Sequence, residues 1–97
     1  MLLLLTFKVD PDLFQRFEEY ETRALAVLAG YGGEMVLRLR HLDSSGETHL
    51  LSVPDRDTLS AFLADPECVA LQEAYADALP TPLVTKVAIL ESGQLPR

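Results

Sequence analysis

An α+β sandwich, with a four-stranded antiparallel sheet carrying its helices on one face, is the fold this sequence predicts. Three observations carry that expectation. Strand and helix patterns follow one another as strand–helix–strand, twice over. The first strand is a nearly unbroken apolar run, which fits a central position in a sheet. And 97 residues, 48% of them hydrophobic, bound the chain to one small domain, 1–97, with no linker or low-complexity stretch.

The elements read in order as follows. Leu2 to Val9 is the first strand. A helix follows from about Asp12 to Ala29: Asp10 is placed to cap it, Pro11 fits its first position, and Asp12 complements the positive end of the dipole. Leu13, Phe14, Phe17, Tyr20, Ala24, Leu25 and Leu28 recur at helical spacing and make its apolar face. Gly30 is expected to end the helix in a left-handed conformation, with Gly32 and Gly33 leading into a strand from Met35 to Leu42. Ser44-Ser45-Gly46 suits a three-residue hairpin loop, with Gly46 left-handed. That loop would set Asp43 opposite Glu47, His41 opposite His49, Leu39 opposite Leu51 and Leu37 opposite Val53. A four-residue loop would shift every pair.

The third strand runs from Thr48 to Val53, and the second helical region from about Asp57 to Leu79. Asp55 or Asp57 can cap that region, and Pro66 breaks or kinks it. Pro80 and Pro82 stop it before the last strand, Leu83 to Leu90.

Because strand–helix–strand crossovers are right-handed, both halves place their helices on the same side of a shared sheet. The expected order across the sheet is fourth, first, third, second strand, a ferredoxin-like βαββαβ arrangement. Alternation assigns Leu3, Leu5, Phe7, Val9, Met35, Leu37 and Leu39 to the helix side. The uncovered face would then carry Leu2, Leu4, Thr6, Lys8, Val36, Arg38, Arg40, Leu42, Leu50, Ser52, Val84, Lys86, Ala88 and Leu90. Such a face is too apolar to be left in water, and it predicts a homodimer formed by stacking two sheets.

Composition excludes several function classes. A net charge of −7 argues against nucleic acid and against anionic membrane surfaces as partners. One cysteine, Cys68, beside Val69, reads as a small core residue and points to a reducing compartment, so a cytoplasmic location is expected. The opening Met-Leu-Leu-Leu-Leu lacks the basic start of a signal peptide and runs into Asp10-Pro11-Asp12. No phosphate-cradling glycine loop is present, because Gly30-Tyr31-Gly32-Gly33 precedes a strand.

The Tyr20-Glu21 helix ending in Tyr31-Gly32-Gly33, then Val53-Pro54-Asp55 leading to Ala61-Phe62-Leu63-Ala64-Asp65-Pro66-Glu67, resembles the dimeric α+β barrel superfamily. Within it the likeness is to small bacterial proteins of the antibiotic-biosynthesis-monooxygenase-like and uncharacterised groups. The resemblance implies a homodimer, with a small-molecule pocket between sheet and helices in some members and chemistry that includes cofactor-free oxygenation and isomerisation. It carries over no catalytic set. The Asn and Trp placements of the oxygenases have no counterpart, since this chain contains neither residue.

Three groups of side chains are candidates for chemistry. Lys8, Arg38, Arg40 and Lys86 are four of the eight Lys and Arg, all assigned to the uncovered face, where they could hold an anionic ligand. The alternative is ion pairing across a dimer. His41 and His49, with Asp43 and Glu47 beside them, offer an acid–base group, while the carboxylates at a hairpin tip are ordinary turn residues and no metal site is expected. Tyr31, beside its glycines, is expected at a pocket mouth, whereas Tyr20 and Tyr75 sit on apolar helix faces and pack. The expected function is binding, or cofactor-free conversion, of a small anionic or aromatic-polar metabolite between sheet and helices. The rival expectation is a dimerisation or regulatory module without catalysis.

Overall fold

The computed structural model describes residues 1–91 and Gly93. β1 (Leu2–Lys8) passes through a single 3-10 turn into α1 (Phe14–Gly30), then β2 (Glu34–Arg40) and β3 (Gly46–Ser52). Next come α2 (Arg56–Ala64), α3 (Pro66–Ala74), a second 3-10 turn and β4 (Leu83–Val87). The sheet is antiparallel with order β2-β3-β1-β4, as the sequence predicts. No helix among the described residues is long and apolar enough to cross a membrane.

The local signals behave as their chemistry requires. Asp10 accepts the Asp12 amide at 3.0 Å and Pro11 opens the 3-10 turn ahead of α1. The left-handed residue at the exit of α1 is Gly32 (φ 78°) and not Gly30, which stays helical; the Gly33 amide closes the turn on the Leu28 carbonyl at 3.1 Å. Asp55 caps α2 through the Thr58 amide at 2.7 Å. Pro66 divides the second helical region completely. α2 ends at Ala64, and Asp65 caps a new helix through the Glu67 amide at 2.8 Å, with Pro66 at its first position.

Two apolar clusters lie between sheet and helices. Leu3, Leu28 and Val53 form one, with Leu25, Leu51, Leu59 and Phe62 packed against it. Phe7, Val9 and Phe17 form the other, the two phenyl rings meeting edge to face at 5.2 Å. Arg16 ties α1 to the segment after α3 through paired bonds to Asp77 (3.0 and 2.8 Å).

The hairpin departs from expectation, with consequences for every residue on it. Its loop is residues 42–45, closed by the His41 amide on the Gly46 carbonyl at 2.9 Å. Ser44 takes the left-handed conformation (φ 62°), and Gly46 begins β3. The reason lies in β1: a Cβ on Gly46 would stand 1.8 Å from the Phe7 carbonyl oxygen, so this glycine is used for close strand approach and not for the turn. The pairs are therefore Arg40 with Glu47, Leu39 with Thr48, Arg38 with His49 and Leu37 with Leu50, with a bulge between Met35 and Leu37. None of the four expected pairs forms.

An odd slip of register exchanges the two faces of a strand. Arg38 and Arg40 consequently lie on the helix side, and Leu37 and Leu39 on the open side, the reverse of expectation. β4 is reversed too. Val84 sits opposite Leu5 and Lys86 opposite Leu3, on the helix side, because neither phase of Leu-Val-Thr-Lys-Val is cleanly apolar. The strand also stops at Val87. The open face thus carries the apolar Leu2, Leu4, Leu37, Leu39, Leu50, Leu83 and Val87 together with Thr6, Lys8, Glu34, Thr48, Ser52 and Thr85, and the expected arginines are absent from it.

Candidate functional site

The register that moved the arginines assembles a polar row beneath the helices. Arg38 lies beside His49 and Arg40 beside Glu47, while His49 and Glu47 alternate inward on β3 next to Leu51. From α1, Phe17, Glu21, Ala24 and Leu28 point inward at helical spacing, which brings Glu21 onto His49. Glu21, Glu47 and His49 are all buried, the last two at 1% exposure.

Glu47 is the hub. Its Oε1 accepts Arg38 Nε at 2.7 Å and contacts His49 Nε2 at 2.9 Å. Its Oε2 accepts Arg38 Nη2 at 3.2 Å, Arg40 Nε at 3.0 Å and Arg40 Nη2 at 2.6 Å. Burial alone would raise the pKa of this carboxyl, but Arg38, His49 and Arg40 outweigh it and hold the group down at about 2. Arg40 also stacks over Phe14 at 4.2 Å.

His49 Nδ1 lies 3.6 Å from Glu21 Oε2. The ring is flanked by Phe7 at 4.8 Å and Phe17 at 6.1 Å. That apolar setting disfavours charge on both partners. Burial pushes Glu21 up to about 7, with Arg38 opposing and Glu47 adding to the rise. Burial pulls His49 below its ordinary value, against the attraction of Glu47. With the carboxyl raised and the imidazole lowered, burial favours the neutral form of both, and a proton can pass between them.

Both groups open onto a cavity of about 640 Å³ between sheet and helices. Its wall is mostly apolar, with Leu3, Leu5, Leu28, Leu51, Phe62 and Val84 prominent. The polar side chains on it are Tyr20, Glu21, His49, Gln72 and Thr81, and among the described residues no Lys or Arg lines it. Tyr20 is pushed up to about 12 by burial and is therefore a hydroxyl donor, not an anion, at neutral pH.

Of the candidate ligand-binding and acid–base residues of the sequence, His49 alone reaches the cavity wall; Tyr20, expected only to pack, lines it too. His41 lies on the opposite face, where Nδ1 and Nε2 bridge Ser45 (2.9 Å) and Thr48 (2.8 Å) and brace the hairpin. The four cations do not converge. Arg38 and Arg40 close on Glu47, Lys8 ends β1 opposite Gly46, and Lys86 stands exposed on β4. Tyr31 donates its hydroxyl to Asp65 at 2.6 Å, joining the end of α1 to the break between α2 and α3. Tyr31→Phe should cost about 1 kcal/mol in chemical denaturation, the worth of one such bond. Among the described residues no group of three or more His, Cys, Asp or Glu side chains is placed to hold a metal ion.

Glu21 is the site residue that the sequence reading missed, and Glu47 is the one it took for an ordinary carboxylate at the hairpin tip. Glu21 carries a detectable signal: it lies four residues after Phe17 and seven before Leu28, inside the apolar stripe. Glu47 carries none without the correct hairpin register.

No protein-family model and no curated protein sequence matches the chain. Solved structures do. An antibiotic biosynthesis monooxygenase-like protein from Bacteroides thetaiotaomicron VPI-5482 superposes with a TM-score of 0.75 at 15% identity, over 100% of this chain and 95% of that one. A similar protein from Caulobacter crescentus CB15 gives 0.72 at 18%, over 93% and 89%. SnoaB from Streptomyces nogalater, a cofactor-independent oxygenase, gives 0.65 at 22%, over 94% and 96%. The chain therefore has the ferredoxin-like α+β fold of the monooxygenase-like proteins.

Proposed function

We propose that this protein is a homodimer that binds a small, uncharged, aromatic-polar molecule between sheet and helices, and that Glu21 and His49 move a proton to and from it without a cofactor. The observation that carries the reading is the buried carboxyl–imidazole pair at the wall of an otherwise apolar cavity. A site of this volume suits a small organic ligand, with the few polar groups setting its orientation. Among the described residues no Lys or Arg stands on the wall, which disfavours a carboxylate ligand, whose desolvation would go uncompensated. An acidic hydroxyl or an activated C–H fits better, because the pair can take its proton and leave the molecule electron-rich, the starting point of both isomerisation and cofactor-free oxygenation. The fold shared with a cofactor-independent oxygenase supports that chemistry.

The test uses a neutral bicyclic ketone such as 2-tetralone in D2O, with exchange of its acidic C–H followed by NMR. The wild-type protein should accelerate exchange, and His49→Ala should lower the rate by about 100-fold or more. Ala24→Phe, which fills the cavity, should abolish binding while the fold persists. Binding without exchange would assign the cavity to a carrier or regulatory role. Failure of the ketone and of a matched phenol to bind at all would overturn the reading.

A further inference from the structure

We infer that the Arg38–Glu47–Arg40 clamp is a positioning device: it fixes His49 with its hydrogen on Nε2, so that Nδ1 is the nitrogen that meets Glu21 and exchanges protons at the cavity. The inference rests on the cavity reading above and extends it to residues that never touch a ligand.

The argument is one of donors and acceptors. Five N–H···O contacts converge on the two oxygens of Glu47, four of them from guanidinium groups that can only donate. A carboxylate surrounded in this way has no position for a proton of its own. The fifth contact, His49 Nε2 at 2.9 Å, is then a hydrogen bond only if Nε2 donates. A ring that carries its hydrogen on Nε2 and is neutral presents a lone pair at Nδ1. That lone pair faces Glu21 Oε2 at 3.6 Å. Two lone pairs at that distance repel, so the pair holds one proton between them or binds a donor there.

The clamp also explains the pairing of two arginines with one glutamate. Arg38 and Arg40 are 30% and 48% exposed at the side chain, and each alone would leave part of Glu47 uncompensated. Together they keep it ionised, so it accepts from His49 at neutral pH. The arrangement is a tautomer lock set from the outer edge of the sheet.

The test needs no ligand. Protein with 15N-labelled histidine is examined by NMR at pH 7 to 8. His49 should show a protonated Nε2 and an unprotonated Nδ1. A ring protonated at Nδ1 alone, or at both nitrogens throughout that range, overturns the inference, and this measurement decides even where variants fold poorly. In Glu47→Gln the amide can donate to Nε2, so the Nδ1–H form should appear. With 2-tetralone as probe, exchange in that variant should fall by about 100-fold while the binding constant stays within about twofold, a split that a merely structural role would not give. An Nε2–H ring in a protein that catalyses no exchange would uphold the lock and refute the catalytic reading, so the two fail separately.

Discussion

Glu21→Gln should stabilise the protein at pH 8 and leave it nearly unchanged at pH 5. In the folded chain Glu21 titrates at about 7, against an ordinary 4.5. A carboxyl raised in this way favours folding while it is protonated. Its contribution is fully present below about 4.5 and is lost as pH rises through about 7, where the folded state must ionise a group held among Phe17, Ala24 and the His49 ring. The loss at pH 8 is on the order of 3 kcal/mol. Glutamine keeps the shape and cannot ionise, so it removes the penalty. For a domain of this size that corresponds to a rise of roughly 15 °C in Tm by calorimetry. His49 works in the opposite sense, since its depressed pKa contributes stability present above about 6.5 and lost on acidification. It is retained in the variant, so the comparison isolates Glu21. A Tm difference that is the same at both pH values would show that Glu21 is already ionised in the fold.

The residues that make this prediction were legible in the sequence to very different degrees. The order of elements, the caps at Asp10 and Asp55 and the break at Pro66 are local, and each was readable from a few adjacent residues. The site was not, because it depends on a single non-local contact. Gly46 looks like a turn glycine until the Phe7 carbonyl opposite it is known. Once Gly46 is assigned to the strand, the loop lengthens and the bulge near Leu37 follows, and both arginines pass to the helix side. One close approach between β1 and β3 thus converts an apparent anion-binding face into a buried ion-pair network. The same contact removes both arginines from the other face of the sheet.

The open face is where the second large effect is expected: Leu37→Glu should convert the proposed homodimer to a monomer. Leu37 pairs with Leu50, and Leu50 with Leu4, making an apolar band across three strands of the open face. Leu37 and Leu39 are 40% and 48% exposed in the protomer and Leu83 is 70% exposed, more apolar surface than a solvated sheet normally presents. Stacking two such faces would bury these leucines against their counterparts. A carboxylate placed among them would be buried without a partner, at a cost of about 3–5 kcal/mol to association. That weakens the dimer by roughly 150- to 5,000-fold, enough to give monomer at micromolar concentration in sedimentation equilibrium. Because Leu37 is substantially exposed in the protomer, folding itself should change by only about 0.5 kcal/mol. Arg40→Gln supplies the contrast. Its side chain belongs to the Glu47 network beneath the helices, so it should leave the dimer intact while perturbing His49. If Arg40→Gln dissociates the protein and Leu37→Glu does not, the interface lies elsewhere and the open face serves another purpose. A wild-type protein that sediments as a monomer at about 10 μM would be equally decisive against it.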